Sequence, residues 1–321
     1  MSFLSVLRHA WSFVLGMGIF LLLTGAPLWA ADNGGLQPAA YLNLGVGGEE
    51  NAMGGAAVGL AGEAFGAFWN PSELISVQGT QVALEHTVLS LNRALEALSV
   101  SANYQDRYYL GLTVLDYSDG NDLEARSEPT LNPDAVFSDT NMAFLATAAF
   151  HLDREWDFGF NVKVLIQNYG LADLPTGFGL GEDLGIQFRP SPATTIGFVV
   201  QDPISNFLYS DGTDAFFPAT LRGGLAQEFL DLHLRADLDL EWQTALGLAP
   251  HLGLEWKPVD SIALRAGYWI QVNSGEDGFG AGIGILIPEP RERMEFDYTI
   301  LPDRLSAGQI LQQLSLSVNF L

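Results

Sequence analysis

The sequence lacks cysteine and is poor in basic residues. No cysteine occurs among its 321 residues, which excludes disulfides, thiol nucleophiles, thiolate metal sites and a lipid-modified N-terminal cysteine. Lysine and arginine together number 14 against 38 aspartates and glutamates, so the formal net charge is -24 at pH 7. A phosphate backbone would repel such a chain. We therefore expect no nucleic acid partner and interpret the acidic excess as a solvated surface.

Catalytic motifs are missing as well. No G-x-S-x-G elbow, H-E-x-x-H pair or phosphate-binding glycine loop follows a predicted strand. The histidines are scattered without ligand spacing, at His9, His86, His151, His233 and His251. His233 follows Asp231 by two residues, which would suit a general base, but an interior histidine in a row of charges is the favoured interpretation. The sequence predicts no enzyme, no cofactor and no metal site.

One acidic loop offers an alternative to the absence of metal. Residues 116–124 contain several carboxylates, which are the ligands that Ca²⁺ prefers. Gly120, however, is out of register with the glycine of a calcium-binding loop. A solvated acidic loop is therefore the favoured interpretation.

Long apolar runs are restricted to the first part of the chain. Residues 1–31 combine an apolar stretch over 11–23 with small residues before position 32. This pattern predicts a cleaved signal peptide, because the apolar core is shorter than the roughly 20 residues that a spanning helix needs. An uncleaved anchor is the alternative. The later run over 52–69 contains five glycines and Glu63, which makes it a poor spanning helix.

Glycine is abundant between residues 42 and 71. The glycines of this run are Gly45, Gly47, Gly48, Gly54, Gly55, Gly59, Gly62 and Gly66. Such a segment is too flexible for an independent helix and too small-sided for a core of its own. Asn70-Pro71 then favours extended or turn backbone before the first strand. We assign residues 32–79 to a leader that packs closely inside the domain that follows.

From about Thr80 onward, apolar and polar residues alternate over roughly 8 to 12 positions, the pattern of half-buried strands. The segments around 156–166 and 232–242 show it most clearly. Tight connections alternate with mostly longer ones such as 118–140 and 202–217. Residues 80–321 are therefore predicted to form a transmembrane antiparallel up-and-down β-barrel of about fourteen strands. A secreted soluble β-sandwich is the alternative.

Charge decides which face of each strand points inward. A lipid-facing Arg or Lys costs about 2–4 kcal/mol near the bilayer midplane, so the charged faces must line the lumen. The predicted lumen residues are His233, Arg235, Asp237, Asp239, Glu241, Glu255, Lys257, Arg265, Glu295 and Asp297. The last segment, 314–321, is another alternating strand with Phe320 in the penultimate position. It resembles the terminal strand of outer-membrane barrels.

Two motifs of the glycine-rich run carry a family resemblance. They are formed by Met53, Gly54 and Gly55 and by Trp69, Asn70 and Pro71. This pairing resembles the N-terminal signature of the PorV/PorQ family of outer-membrane barrels. The resemblance implies a fatty-acid-porin-like fold in the bacterial outer membrane, with the two motifs in a segment that plugs the lumen.

Two functions follow as expectations. The resemblance implies a component that docks secreted cargo or a secretion channel in the outer-membrane lipid. The alternative is a passive transporter of hydrophobic small molecules, as in the related fatty-acid porins. A transporter needs an apolar groove in the barrel, whereas the predicted lumen residues are charged, so the sequence slightly favours the interaction role.

Overall fold

The structure is a computed structural model that describes residues 38–60, 64–105, 107–120, 123–125, 131–171, 174–244, 246–289, 292–306 and 308–321. The signal peptide predicted at residues 1–31 lies outside the described residues. Helical structure in the described part is short: α1 (Gly48–Ala52), α2 (Gly66–Trp69) and 3-10 turns at Ala40–Leu44, Pro71–Ser76 and Leu230–Leu232. None of the described helices has the length and apolar character required to cross a membrane.

Strands form most of the described chain. Fourteen of them build one wall: β1 (Thr80–Val88), β2 (Ala94–Tyr104), β3 (Tyr108–Ser118), β6 (Thr140–His151), β7 (Trp156–Asn168), β8 (Gly177–Ser191), β9 (Thr194–Gln201), β12 (Thr220–Phe229), β13 (Leu234–Gln243), β14 (Gly247–Val259), β15 (Ile262–Ile270), β16 (Asp277–Pro288), β17 (Glu292–Pro302) and β18 (Ile310–Phe320). Two hairpins lie in loops: β4 (Leu123–Ala125) with β5 (Ala135–Phe137), and β10 (Asn206–Tyr209) with β11 (Asp214–Ala215).

The wall is a closed antiparallel barrel. Each wall strand pairs with the next one along the chain, and β18 pairs with β1 from Thr80↔Phe320 to Val88↔Gln312. Closure leaves no strand edge along the wall, so the backbone donors and acceptors bond to each other. The predicted fourteen-strand barrel is confirmed, and the terminal strand pairs on both sides, with β17 and with β1.

The two ends of the barrel differ. We call the end with the short connections, such as 152–155 and 260–261, the turn end. The opposite end carries longer connections such as 119–139 and 202–219, and we call it the loop end. The β10–β11 hairpin, which the sequence analysis treated as part of a loop, pairs through β10 with the loop-end half of β8.

Alternation along the strands separates an outer face from an inner face. Val162 and Leu238 point outward and remain 49% and 55% exposed. Their neighbours Asn161 and Asp239 point inward and are 0% and 2% exposed. A sandwich would bury the apolar face against a second sheet. Here the apolar face lies on the outside of the barrel, where lipid would cover it.

Candidate functional site

The N-terminal segment (residues 38–60 and 64–79) lies inside the barrel, where wall side chains satisfy its backbone donors. The Gly47 amide donates to Glu85 Oε2 at 2.7 Å. The Ala57 and Val58 amides both donate to Asp239 Oδ2, at 2.8 and 2.9 Å. Buried backbone groups need partners, and this segment has little secondary structure to supply them. The wall carboxylates therefore hold it in place.

Backbone carbonyls of the same segment are satisfied by wall amides and by one histidine. The bonds include Asn161 Nδ2 to Ala67 O at 2.9 Å, Gln187 Nε2 to Leu60 O at 3.0 Å, Gln201 Nε2 to Phe68 O at 3.0 Å, His251 Nδ1 to Gly54 O at 2.8 Å and Thr299 Oγ1 to Gly48 O at 2.6 Å. These five donors lie in five different strands: β7, β8, β9, β14 and β17. The segment is thus fixed around its circumference.

Glycines of the wall let the segment approach the strands closely. A Cβ at Gly267 would lie 2.0 Å from the Met53 carbonyl carbon, and one at Gly159 would lie 2.3 Å from the Pro71 carbonyl carbon. Both distances are far below van der Waals contact. Any larger residue at these positions would force the wall and the segment apart.

The motif of Trp69, Asn70 and Pro71 is bonded to residues on either side of the motif of Met53, Gly54 and Gly55. Trp69 Nε1 donates to Val46 O at 2.8 Å, and Asn70 Nδ2 donates to Val58 O at 2.9 Å. Asn70 Oδ1 accepts from the Ser72 amide at 3.1 Å and caps the 3-10 turn that begins at Pro71. Met53, Gly54 and Gly55 lie buried against β14 and β15, the two glycines with φ of 72° and 77°.

A belt of charged side chains surrounds α1 on the side of β13 to β17. Arg265 is its centre: it contacts Glu255 at 2.8 Å, Glu295 at 2.7 Å, Glu49 at 2.5 Å and also Asp297. Arg235 pairs with the same Glu49 and lies 3.1 Å from Asp237 and 3.7 Å from Glu255. We call these seven residues the charged belt. Glu49 belongs to the N-terminal segment, so the belt ties that segment to the wall.

Most of the predicted lumen residues point inward, but His233 does not lie in a strand. The inward residues are Arg235, Asp237, Asp239, Glu241, Glu255, Lys257, Arg265, Glu295 and Asp297. His233 is exposed and follows the Leu230–Leu232 turn with φ of 50°. The prediction for His233 as part of a strand was wrong, because the alternation 232–242 begins before the strand does. At this turn a vestibule of about 300 Å³ opens beside Arg235 and Lys257.

A second cationic group lies nearer the loop end. Arg222 Nη2 contacts Glu241 at 2.5 Å, and its guanidinium lies 4.9 Å from the Trp69 ring centre. Arg304, in the loop after β17, lies 4.3 Å from the Trp269 ring centre. Burial lowers the pKa of Arg304 to about 10, with Arg222 acting in the same direction and Glu241 opposing.

The loop-end half of the lumen is apolar. Its residues are almost fully buried, and we call them the loop-end cluster: Leu95, Leu115, Leu145, Leu165, Leu301 and Leu311 from the wall, with Phe207 and Phe217 from the connection between β9 and β12. Tyr41, Leu44 and Phe68 of the N-terminal segment pack against it. The sequence analysis missed this cluster, because every lumen residue that it predicted is charged or a histidine. The sequence signal for this cluster is weak, because both faces of these strand ends are apolar and alternation does not distinguish the inner face. Phe144 and Leu145, which are adjacent in β6, are an example.

A small cavity separates the apolar cluster from the polar part of the lumen. Its volume is about 50 Å³. Its lining includes the apolar residues Leu42, Leu145 and Phe217. It also includes a buried triad in which Lys163 Nζ lies 2.7 Å from Asp183 and 2.5 Å from Asp202. The sequence analysis did not predict this triad, because Asp202 lies 39 residues from Lys163 in the chain.

The acidic loop at residues 116–124 is only partly within the described residues. Among those described, the Tyr117 hydroxyl donates to Asp119 at 2.5 Å. No group of three potential metal-ligating side chains is found in the described part of the chain. Calcium binding by this loop therefore stays the untested alternative to a solvated acidic loop.

Solved structures share this architecture. No family model and no curated protein matches the chain. The CymD monoaromatic hydrocarbon channel has a TM-score of 0.62 at 16% identity, over 86% of this chain and 98% of that one. The Pseudomonas putida toluene transporter TodX has 0.61 at 14%, over 85% and 97%. A Pseudomonas aeruginosa FadL homologue has 0.57 at 11%, over 86% and 98%. The fatty-acid-porin-like fold is therefore confirmed, whereas membership of the PorV/PorQ family stays a prediction.

Proposed function

We propose that the protein is an outer-membrane channel that lets small hydrophobic molecules pass, with the N-terminal segment closing its lumen. The proposal covers a passive route and no chemical conversion. It reverses the preference that the sequence alone supported, because the lumen is not charged along its whole length.

The loop-end cluster is the observation that carries this proposal. It presents Leu115, Leu145 and Leu165 from three wall strands, together with Phe207 and Phe217, toward the inside of the barrel. Apolar surface that faces a lumen offers a hydrophobic molecule a favourable transfer from water, worth about 25 cal/mol per Å² of buried apolar area. A purely aqueous pore has no need of such a surface.

The similar structures also support a channel for hydrophobic molecules. Two of them are named as a monoaromatic hydrocarbon channel and a toluene transporter. None of the three is named as an enzyme, which agrees with the expectation of a non-enzymatic protein. At 11–16% identity their ligands support this proposal only by analogy.

The outer face supports a location in lipid. Leucines and aromatic residues such as Leu252, Phe279 and Trp256 are between 47% and 57% exposed there. An export signal and a closed barrel with an apolar outer belt are typical of the bacterial outer membrane. We therefore propose outer-membrane lipid as the partner of this face.

A role in secretion is the second candidate, and it now rests on the motif resemblance alone. The sequence analysis favoured this role because the predicted lumen residues are charged. At the loop end, however, the inner face of the barrel is apolar. Docking of secreted cargo or a secretion channel at the loops would show as co-purification of such proteins from native membranes.

Uptake of toluene by whole cells tests the transport proposal. Phe217→Glu places a carboxylate in the loop-end cluster, and we expect a severalfold slower uptake. Its neighbour Phe216 is 43% exposed, so Phe216→Glu is the matched control and should leave uptake unchanged. Heat-modifiable gel mobility checks that both variants fold. Equal uptake by wild type and Phe217→Glu would contradict the proposal.

A further inference from the structure

The small cavity between the N-terminal segment and the wall has unsatisfied polar groups in its lining. Its volume is about 50 Å³, so it holds one small chemical group and not a whole ligand. Arg222 and Gln243 line it on the polar side, and Phe68 and Phe217 line it on the apolar side. The apolar side continues into the loop-end cluster. The cluster is packed against Tyr41, Leu44 and Phe68 of the N-terminal segment, so a molecule enters it by displacing these side chains and then reaches the cavity with one end.

Arg222 supplies the unsatisfied donors. Its Nη2 is used by Glu241 at 2.5 Å, and the Trp69 ring lies under the guanidinium. These contacts fix the side chain. Nε and Nη1 are buried and have no hydrogen-bond partner among the described residues. A buried donor without a partner costs about 1–3 kcal/mol, more for a charged group, so an acceptor is expected beside them.

Gln243 supplies an unsatisfied acceptor. Its Nε2 donates to Asn43 Oδ1 and to Thr220 Oγ1, both at 3.1 Å, which fixes the orientation of the amide. Its Oε1 is buried and has no hydrogen-bond partner among the described residues. An amide oxygen accepts hydrogen bonds and cannot donate them. The cavity therefore needs a group that both accepts from Arg222 and donates to Gln243.

We propose that this cavity binds the hydroxyl group of a hydrophobic alcohol or phenol, whose apolar body lies in the loop-end cluster. The inference rests on the proposed transport function and narrows its substrate class. A hydroxyl has one donor hydrogen and two acceptor lone pairs. It satisfies Arg222 and Gln243 at once and brings no charge into the lumen.

Two other substrate classes fit less well. A hydrocarbon satisfies neither Arg222 nor Gln243 and leaves both groups unpaired. A carboxylate accepts from Arg222, but it has no hydrogen to donate to Gln243 Oε1, so two acceptors would face each other there. It also brings a second negative charge next to Asp202, which lines the cavity. The Lys163 ammonium that neutralises this region is already shared between Asp183 and Asp202. The hydroxyl group remains the best match.

Binding of three probes of similar size tests the assignment. Phenol, toluene and benzoate are titrated calorimetrically at pH 7 into the purified full chain in detergent. We expect phenol to bind more tightly than toluene and benzoate. In Gln243→Met the affinity for phenol should fall about fivefold, which corresponds to one lost hydrogen bond, while the affinity for toluene stays the same. The detergent concentration is the same in all titrations. The ratio of the affinities of wild type and variant for one probe is therefore independent of how that probe partitions into micelles.

A matched glutamine serves as the control. Gln313 is also buried on the inner face and also has an unpartnered Oε1, but it does not line the cavity. Gln313→Met should leave the affinity for all three probes unchanged. Arg222→Met, as a second variant, should lower the affinity for phenol in the same way as Gln243→Met, provided that heat-modifiable mobility shows a folded barrel.

Each other outcome overturns the assignment. Equal affinity for phenol and toluene, with no effect of Gln243→Met, means that the cavity holds a water molecule only; the transport proposal then still stands. Tightest binding of benzoate, lost in Arg222→Met, means an anion site instead. If none of the probes binds, the hydroxyl site is overturned, whereas the transport proposal is decided by the toluene uptake of Phe217→Glu.

Discussion

The two halves of the lumen are built from the same strands but with different chemistry. In β7, the inward residues Asn161 and Lys163 are polar, and the next inward residue toward the loop end is Leu165. In β3, the inward residue Thr113 is followed by Leu115. Polar residues thus meet the backbone of the N-terminal segment, whereas apolar residues pack against its side chains Tyr41, Leu44 and Phe68. The difference shows that one wall can both anchor this segment and carry an apolar inner surface.

The charged belt should give the largest effect when it is broken. Arg265→Met removes the guanidinium that four carboxylates share. Those carboxylates then stay buried with less positive charge to neutralise them, because Arg235 contacts only Glu49 and Glu255 among the four. We therefore expect a loss of about 3–5 kcal/mol in the free energy of unfolding. Urea titration of the detergent-solubilised barrel measures it.

Arg293 provides the control for this variant. Its side chain is 54% exposed and lies 3.9 Å from Glu295. Arg293→Gln should change the free energy of unfolding by less than about 1 kcal/mol. If both arginine variants have similarly small effects, the charged belt does not hold the N-terminal segment.

The loop-end cluster is tested by a large-to-small substitution. Leu115 is 1% exposed and Leu112 in the same strand is 48% exposed. Leu115→Ala should lower the free energy of unfolding by about 2–5 kcal/mol because it opens a cavity in the cluster. Leu112→Ala faces the outside, where detergent or lipid fills the space, and should have a clearly smaller effect. Equal losses in the same urea titration would mean that the loop-end lumen is not packed.

The close approach of the wall and the N-terminal segment predicts a smaller loss in the free energy of unfolding than the substitution in the loop-end cluster. A Cβ at Gly267 would lie 2.0 Å from the Met53 carbonyl carbon, whereas one at Gly111 would lie 3.4 Å from Leu74. Gly267→Ala is therefore expected to cost about 1–3 kcal/mol through overpacking. Gly111→Ala, also on the inner face, makes ordinary contact and should be nearly neutral. Thermal unfolding monitored by gel mobility distinguishes the two, and a neutral Gly267→Ala would place the segment farther from the wall.

The smallest effect is expected within the N-terminal segment itself. Asn70 accepts from the Ser72 amide at 3.1 Å and donates to Val58 O at 2.9 Å. Its Oδ1 also accepts from the Ser72 hydroxyl at 2.7 Å. Asn70→Ala removes all three bonds and should cost about 0.5–2 kcal/mol. Asn70→Ser keeps an acceptor for the cap without burying a charge and should lose less. A loss in the serine variant as large as in the alanine variant would show that the cap is not what Asn70 provides.

The barrel was predictable from the sequence because alternation with period two is a local signal. Segments such as 156–166 show both the strand and its inward face, and the length of each connection separates the two ends. Local signals also explain the error at His233, which continues the alternating pattern but lies in a turn.

The contents of the lumen were less predictable, because the contacts that define them are distant in the chain. Arg265 pairs with Glu49 across 216 residues, and no single segment shows this partnership. The glycine-rich run indicated close packing, yet its counterparts in the wall, such as Gly159 and Gly267, look like ordinary strand glycines. Where both faces of a strand end are apolar, alternation also fails to show that the lumen itself is apolar.

An engineered disulfide tests most directly the claim that the N-terminal segment lies fixed inside the barrel. A Cβ at Gly59 would lie 3.2 Å from the Cβ of Ala226 in β12, close to the roughly 3.8 Å of a disulfide, and it would meet no atom closer than 3.0 Å. The natural chain has no cysteine, so Gly59→Cys with Ala226→Cys creates a single pair. In oxidised membranes this pair should crosslink and change the mobility of the denatured protein on a non-reducing gel. Gly59→Cys with Leu225→Cys, one residue along the strand on the outer face, should not crosslink. Absence of the first crosslink, or equal crosslinking of both pairs, would contradict the account.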